Sequence, residues 1–283
     1  MGSTKPLRLV ALPLTKPVPR ANGSGRNGLL YLHAIVPLDA VKPVSYMSRA
    51  TNWAGSQWDK LGQAPVQNWK HRVFLKGNQL LDNIEFEEWS LKGLDKDLGP
   101  DLWPAKDASG ASAQSDKAST KVEDQGAVPL LYPPKYLEEH KLREYMIQFL
   151  EQREPFHRKW LWRNLFLSPL TWPFAIIPIV PNFPLFWVLW RAWSHWRAAT
   201  SSKYLLDLFH RDQIKLQPSN ALNEVLDKRT TESQLLLAEP QVDFLVRKFN
   251  LNSQATLDFK RAAVQAEARL REIHASSEDN KTS

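Results

Sequence analysis

The chain has 283 residues, with 37 Lys and Arg against 30 Asp and Glu, a net charge of +7, 12 Trp and no Cys. The missing Cys excludes disulfides, thiolate metal sites and Cys nucleophiles, and the length allows one large domain or two small ones. The charge is concentrated: six basic residues and no acid lie between Pro155 and Leu206, leaving 31 basic and 30 acidic residues elsewhere. A nucleic-acid binder would spread its cations over a face or tail, so no nucleic-acid partner is expected.

The first 38 residues lack acids and carry Lys5, Arg8, Lys16, Arg20 and Arg26, a composition like that of a transit peptide. Pro6, Pro13, Pro17 and Pro19 would break an amphipathic helix there. Residues 7–12 and 29–36 instead read as two short strands around a loop holding Gly23, Gly25 and Gly28, a retained β-hairpin rather than a cleaved presequence.

Residues 44–94 are predicted helical. Pro65 suits a helix start, and Val66, Trp69, Val73, Gly77, Leu80 and Ile84 recur at three- and four-residue steps. Asp82, Glu85, Glu87 and Glu88 form an acidic cluster that reads as a solvated helix face; a cation site would need other residues to converge on it. Residues 104–128 hold almost no large apolar side chain and read as a disordered linker. Helical periodicity resumes over 135–153 with Leu142, Tyr145, Met146, Phe149 and Leu150, and Pro155 is expected to kink or interrupt that helix.

From Asn164 to Trp190 there are 27 residues without a charged side chain, more than the roughly 20 that a helical span needs. Pro169, Pro173, Pro178, Pro181 and Pro184 forbid one regular helix. Seven Trp fall between residues 160 and 196, and Trp favours the membrane–water boundary. Arg158, Lys159 and Arg163 precede the run; Arg191, Arg197 and Lys203 follow it. Three arrangements accommodate these features: a helical hairpin that enters lipid and returns, a kinked single span, or a hairpin buried in a protein core. Equal positive flanks favour the first, with the cations at lipid headgroups and Trp172, Pro173, Pro178, Pro181, Asn182, Pro184 and Trp187 embedded.

Further helices are expected at 200–212, 218–229, 240–249 and 253–274, with Asn250 as a stop, Ser253 as an N-cap and a polar tail from Ser276. The chain thus divides into an N-terminal module (1–103), a linker (104–130), membrane-anchoring helices (131–212, hydrophobic segment 160–193), a C-terminal helical module (213–275) and a disordered tail (276–283). The expected fold class is mostly α and membrane-associated, with the Pro-broken hydrophobic hairpin, further helices and a small N-terminal β-hairpin.

No nucleophile elbow, zinc-protease helix, phosphate-binding loop or dinucleotide fingerprint is present, so no enzyme is expected. His157 and His210 have no second His at metal-ligand spacing, so no metal or cofactor is expected. His195, set among Arg191, Trp193, Trp196 and Arg197, is a candidate pH sensor, its alternative being an interfacial His that only hydrogen-bonds.

PNFPLFWVLWRAWSHWRA (Pro181–Ala198) resembles the fungal and wider eukaryotic family of mitochondrial K+–H+ exchange-related proteins, as a fungal-type member. The resemblance continues at LRLVALPLT (Leu7–Thr15), APVQNWKHRV (Ala64–Val73) and LLDNIEFEEWSLKGL (Leu80–Leu94). It implies a mitochondrial inner-membrane protein, its soluble parts facing the matrix, linked to potassium and volume homeostasis. The uncharged run holds no titratable group for a proton-coupled pathway. The expectation is therefore an accessory subunit or regulator of K+–H+ exchange, as a homo-oligomer or in complex with other inner-membrane proteins. The alternative is a scaffold that binds anionic lipid such as cardiolipin and transports nothing.

Overall fold

The structure, a computed structural model, describes residues 7–17, 28–35, 46–94, 96–100, 102, 127–171, 183–228 and 234–282. The expected linker falls almost wholly outside them. Strands β1 (Arg8–Pro13), β2 (Leu30–Ile35), β3 (Val128–Tyr132) and β4 (Ile214–Pro218) form one mixed sheet in the order β2-β1-β3-β4. β1 pairs antiparallel with β2, Arg8 opposite Ile35, and parallel with β3, Leu9 opposite Leu130. β3 and β4 are also parallel, Val128 opposite Ile214. The N-terminal hairpin is present, as half of a larger sheet.

β1 is an inner strand covered on both faces, which explains its nearly unbroken apolar run. Leu9 and Ala11 point to one core, Val10 and Leu12 to another. On the first face lie α3 (Phe86–Gly93), α4 (Glu139–Leu167) and α5 (Phe183–His210), whose Leu91, Leu142, Met146, Leu150, Leu205 and Leu208 meet Leu9, Leu32 and Leu130. On the second lie α6 (Asn220–Asp227), α7 (Glu239–Phe249) and α8 (Ser253–Thr282), whose Leu222, Val225, Val242, Leu245 and Phe259 meet Val10, Leu12 and Tyr31. Each fully buried Leu contributes about 2 kcal/mol by leaving water.

α1 (Tyr46–Gly62) and α2 (Trp69–Asp82) pack on one another, Trp58 Nε1 donating to Asn78 Oδ1 at 3.2 Å. The apolar stripe expected there stays largely in solvent: Val66, Trp69 and Leu80 are exposed, and α2 buries none of its residues. Asn68 caps α2, accepting from the Lys70 amide, so Pro65 sits in the preceding turn.

Among the described residues no helix is long and apolar enough to cross a membrane. This overturns the membrane-embedded hairpin. The uncharged run is divided between the end of α4, the start of α5 and residues 172–182, which lie outside the described residues. α4 carries charges through Arg163, and α5 carries Arg191 and Arg197. The two helices pack along each other and on the sheet through residues outside the run, while the described side chains within it are half-buried or exposed, Phe166 at 78% and Leu170 at 73%. With the span go the expectations built on it: inner-membrane residence with matrix-facing parts, anionic-lipid and membrane-complex partners, a membrane-bound part in K+–H+ exchange, and the cardiolipin scaffold.

Pro155 lies inside α4 and does not end it, although it withholds the amide that the Glu151 carbonyl would accept. Asn250 ends α7 in the left-handed conformation, φ 49 and ψ 52. Asn252 caps α8, its Oδ1 accepting from the Ala255 amide at 2.8 Å. α8 continues to Thr282, past Ser276.

Candidate functional site

Glu88 lies in the first turn of α3, where the unpaired amides of the helix favour a carboxylate. His157 comes from α4; Arg191, Ser194 and His195 come from α5, Arg191 and His195 sharing one face at i, i+4. The three helices bring these side chains together on the inside of the α4–α5 pair. Glu88, His157, Ser194 and His195 are all buried, at 4%, 1%, 0% and 1% exposure.

The Arg191 guanidinium is bidentate on Glu88, Nη1 to Oε1 at 2.5 Å and Nη2 to Oε2 at 3.0 Å. Ser194 Oγ donates to Glu88 Oε1 at 2.6 Å. Arg191 Nη2 also reaches His195 Nε2 at 2.9 Å, and His195 Nδ1 lies 3.0 Å from His157 Nδ1. Arg191 can only donate, so His195 Nε2 is an acceptor and its proton sits on Nδ1. That proton is donated to His157 Nδ1, whose own proton is then on Nε2. His157 Nε2 is buried and has no hydrogen-bond partner among the described residues.

Burial pushes the His195 imidazole down to about 4, Glu88 opposing the shift and Arg191 adding to it. Burial likewise takes His157 to about 4, against the pull of Glu88. Both rings are therefore neutral at neutral pH, and a sensor at His195 would switch near pH 4. Burial alone would raise the Glu88 carboxyl; the Arg191 hydrogen bond and charge, Ser194 and His195 outweigh it and hold the group below its ordinary range. The site thus holds one carboxylate and two neutral imidazoles, the forms that bind metal ions.

One ligand atom each from Glu88, His157 and His195 lies within 4.8 Å of the others. His195 Nδ1 is 3.8 Å from Glu88 Oε2 and 3.0 Å from His157 Nδ1. A tetrahedral zinc site with bonds near 2.0 Å separates its donors by about 3.3 Å, a value inside the present range of 3.0 to 4.8 Å. Aromatic rings wall the cluster: Phe156 is edge-on to His157 at 5.2 Å, and Trp160 stacks on His195 at 6.0 Å.

Of the rest of the acidic cluster Glu87 is also buried, whereas Asp82 and Glu85 are exposed, as expected of a solvated face. Arg153 of α4 pairs with Glu85 and Glu87, and Arg269 of α8 reaches Glu87 Oε1 at 3.2 Å. Arg197 donates to the Lys92 and Leu94 carbonyls at the other end of α3, at 3.3 and 3.2 Å. Two cations expected at headgroups therefore clamp α3 from both ends. The other four are exposed: Lys159 and Lys203, Arg158 3.5 Å from Glu154, and Arg163 over the Trp160 ring at 4.4 Å. Pro184 is exposed and Trp187 stacks on Trp190 at 5.4 Å; Trp172, Pro173, Pro178, Pro181 and Asn182 lie outside the described residues.

Sequence spacing missed the cluster because its members are 69, 34 and 4 residues apart in order along the chain (Glu88, His157, Arg191, His195). The available signal was two acids opening a helix in a segment that resembles the family.

A family model described as mitochondrial K+–H+ exchange-related matches residues 8–209. No curated protein and no solved structure matches the chain.

Proposed function

The chain belongs to the mitochondrial K+–H+ exchange-related family, and on that premise we propose that it is a metal-responsive protein, binding a divalent first-row transition ion through Glu88, His157 and His195. The family is one of ion exchange and not a classical enzyme family. Its fungal-type placement is proposed on the Pro181–Ala198 stretch alone.

One observation carries the metal reading: two neutral imidazoles and an ionised carboxylate converge from three helices in a buried pocket. Such groups are costly to bury without a partner, and His157 Nε2 is buried without one among the described residues. Two nitrogens and one oxygen suit zinc or cobalt, with a fourth position left for water; potassium prefers an all-oxygen shell.

The test is metal content and calorimetry on the purified full chain, titrated with zinc or cobalt(II) in a non-chelating buffer. One equivalent is expected to bind. His157→Gln with His195→Gln is expected to abolish binding while circular dichroism shows the fold retained. Full binding by that folded double variant would refute the proposal.

A further inference from the structure

Arg191 occupies the space and the lone pairs that a metal ion would need. Its Nη2 is 3.0 Å from Glu88 Oε2 and 2.9 Å from His195 Nε2, so one terminal nitrogen addresses two of the three ligands. A metal bound at His195 Nε2 would collide with it directly. A metal bound at His195 Nδ1 would force the ring proton onto Nε2, where it would face the Arg191 N–H donor. Either choice breaks the Arg191–His195 contact, and an ion on Glu88 Oε2 also breaks one arm of the bidentate pair.

Resting on the metal reading above, we propose that Arg191 is a built-in competitor: its guanidinium is the resident cation of the site, and metal binding is an exchange of that cation for an external one. The exchange needs no net proton release. Glu88 is already ionised, and His195 only transfers its ring proton from Nδ1 to Nε2 through solvent. Glu88 keeps a cationic partner in either state, which a buried carboxylate requires, and a divalent ion leaves the pocket one positive charge above the guanidinium-filled state. Among the described residues Arg191 is the one guanidinium that binds Glu88, whereas Arg153 and Arg269 hold Glu85 and Glu87. Displacing it leaves the remaining pins of α3 in place, including Arg197 on the C-terminal carbonyls.

The exchange has a structural readout. Arg191 ties α5 to the first turn of α3, next to Trp89 and Trp190, whose centroids are 6.4 Å apart. Releasing it changes the surroundings of both indoles, so metal binding is expected to change tryptophan fluorescence.

Cobalt(II) affinity distinguishes the possibilities, measured by d–d absorption and calorimetry on wild type, Arg191→Met and Arg191→Lys. Arg191→Met is expected to bind at least about tenfold more tightly than wild type, and Arg191→Lys, which keeps a cation, to stay within about threefold of it. Circular dichroism on each variant confirms folding. Equal affinity of folded Arg191→Met and wild type would overturn the competition while leaving the metal site standing. Absence of binding in every folded protein would overturn the metal reading itself, and the competition with it.

Discussion

The Nδ1 atoms of His157 and His195 face each other at 3.0 Å, so one ring donates and the other accepts. Arg191 at Nε2 of His195 decides which. His195 is expected to be the Nδ1–H tautomer and His157 the Nε2–H tautomer. Long-range nitrogen–proton correlation spectra of labelled protein at pH 7 check this, and Arg191→Met is expected to free His195 to change tautomer. Two identical tautomers in the wild type would contradict the assignment.

The Glu88–Arg191 pair is largely buried, with side-chain exposures of 5% and 18%. Removing one partner strands the other charge. Glu88→Gln is expected to lower unfolding free energy by about 3 kcal/mol in urea. Glu88→Leu combined with Arg191→Met is expected to recover most of that loss, because an apolar pair leaves no charge unpaired. A loss below about 1 kcal/mol for Glu88→Gln would show that water reaches Arg191.

His33 on β2 stands against Phe259 at 4.8 Å, and burial lowers it to about 4 from an ordinary 6.5. Between those values the unfolded chain binds more protons than the folded one, so stability must fall as pH falls through the window. It is complete above pH 6.5. The loss from this group is at most about 3 kcal/mol, and His157 and His195 act in the same direction. Urea unfolding at pH 7 and pH 4.5 measures the drop. His33→Phe, which keeps the ring contact, is expected to make it smaller; an unchanged drop would place its origin elsewhere.

At the α7–α8 junction, Asn252→Ala is expected to cost about 1 kcal/mol, because the Ala255 amide loses its acceptor. Asn250→Gly is expected to be neutral or slightly stabilising, since φ 49 suits glycine better than any residue with a Cβ. Thermal unfolding of the two variants reads both effects.

Much of the secondary structure was legible in residue patterns. The stripe Leu142, Met146, Leu150 lies on the core face of α4, and LRLVALP marks a strand because β1 is covered on both sides. The environment of the apolar run was not legible. Composition cannot say whether Trp160 and Trp190 meet lipid or protein, and here Trp160 lies on His195 and Trp190 on Trp89 and Trp187. The cations beside the run were equally ambiguous, since Arg191 and Arg197 find partners on a helix about 100 residues earlier. The site itself is a product of tertiary approach, which no local spacing encodes.

The span shared with the family ends at residue 209, yet the sheet is finished by β4 and its second face is sealed by α6, α7 and α8. Val10, Leu12 and Tyr31 would otherwise stand bare as an oily platform. In this chain the roof over that face comes from residues beyond the matched span. Residues 8–209 expressed by themselves should clump in water, although every member of the buried His–Glu–Arg cluster would be present.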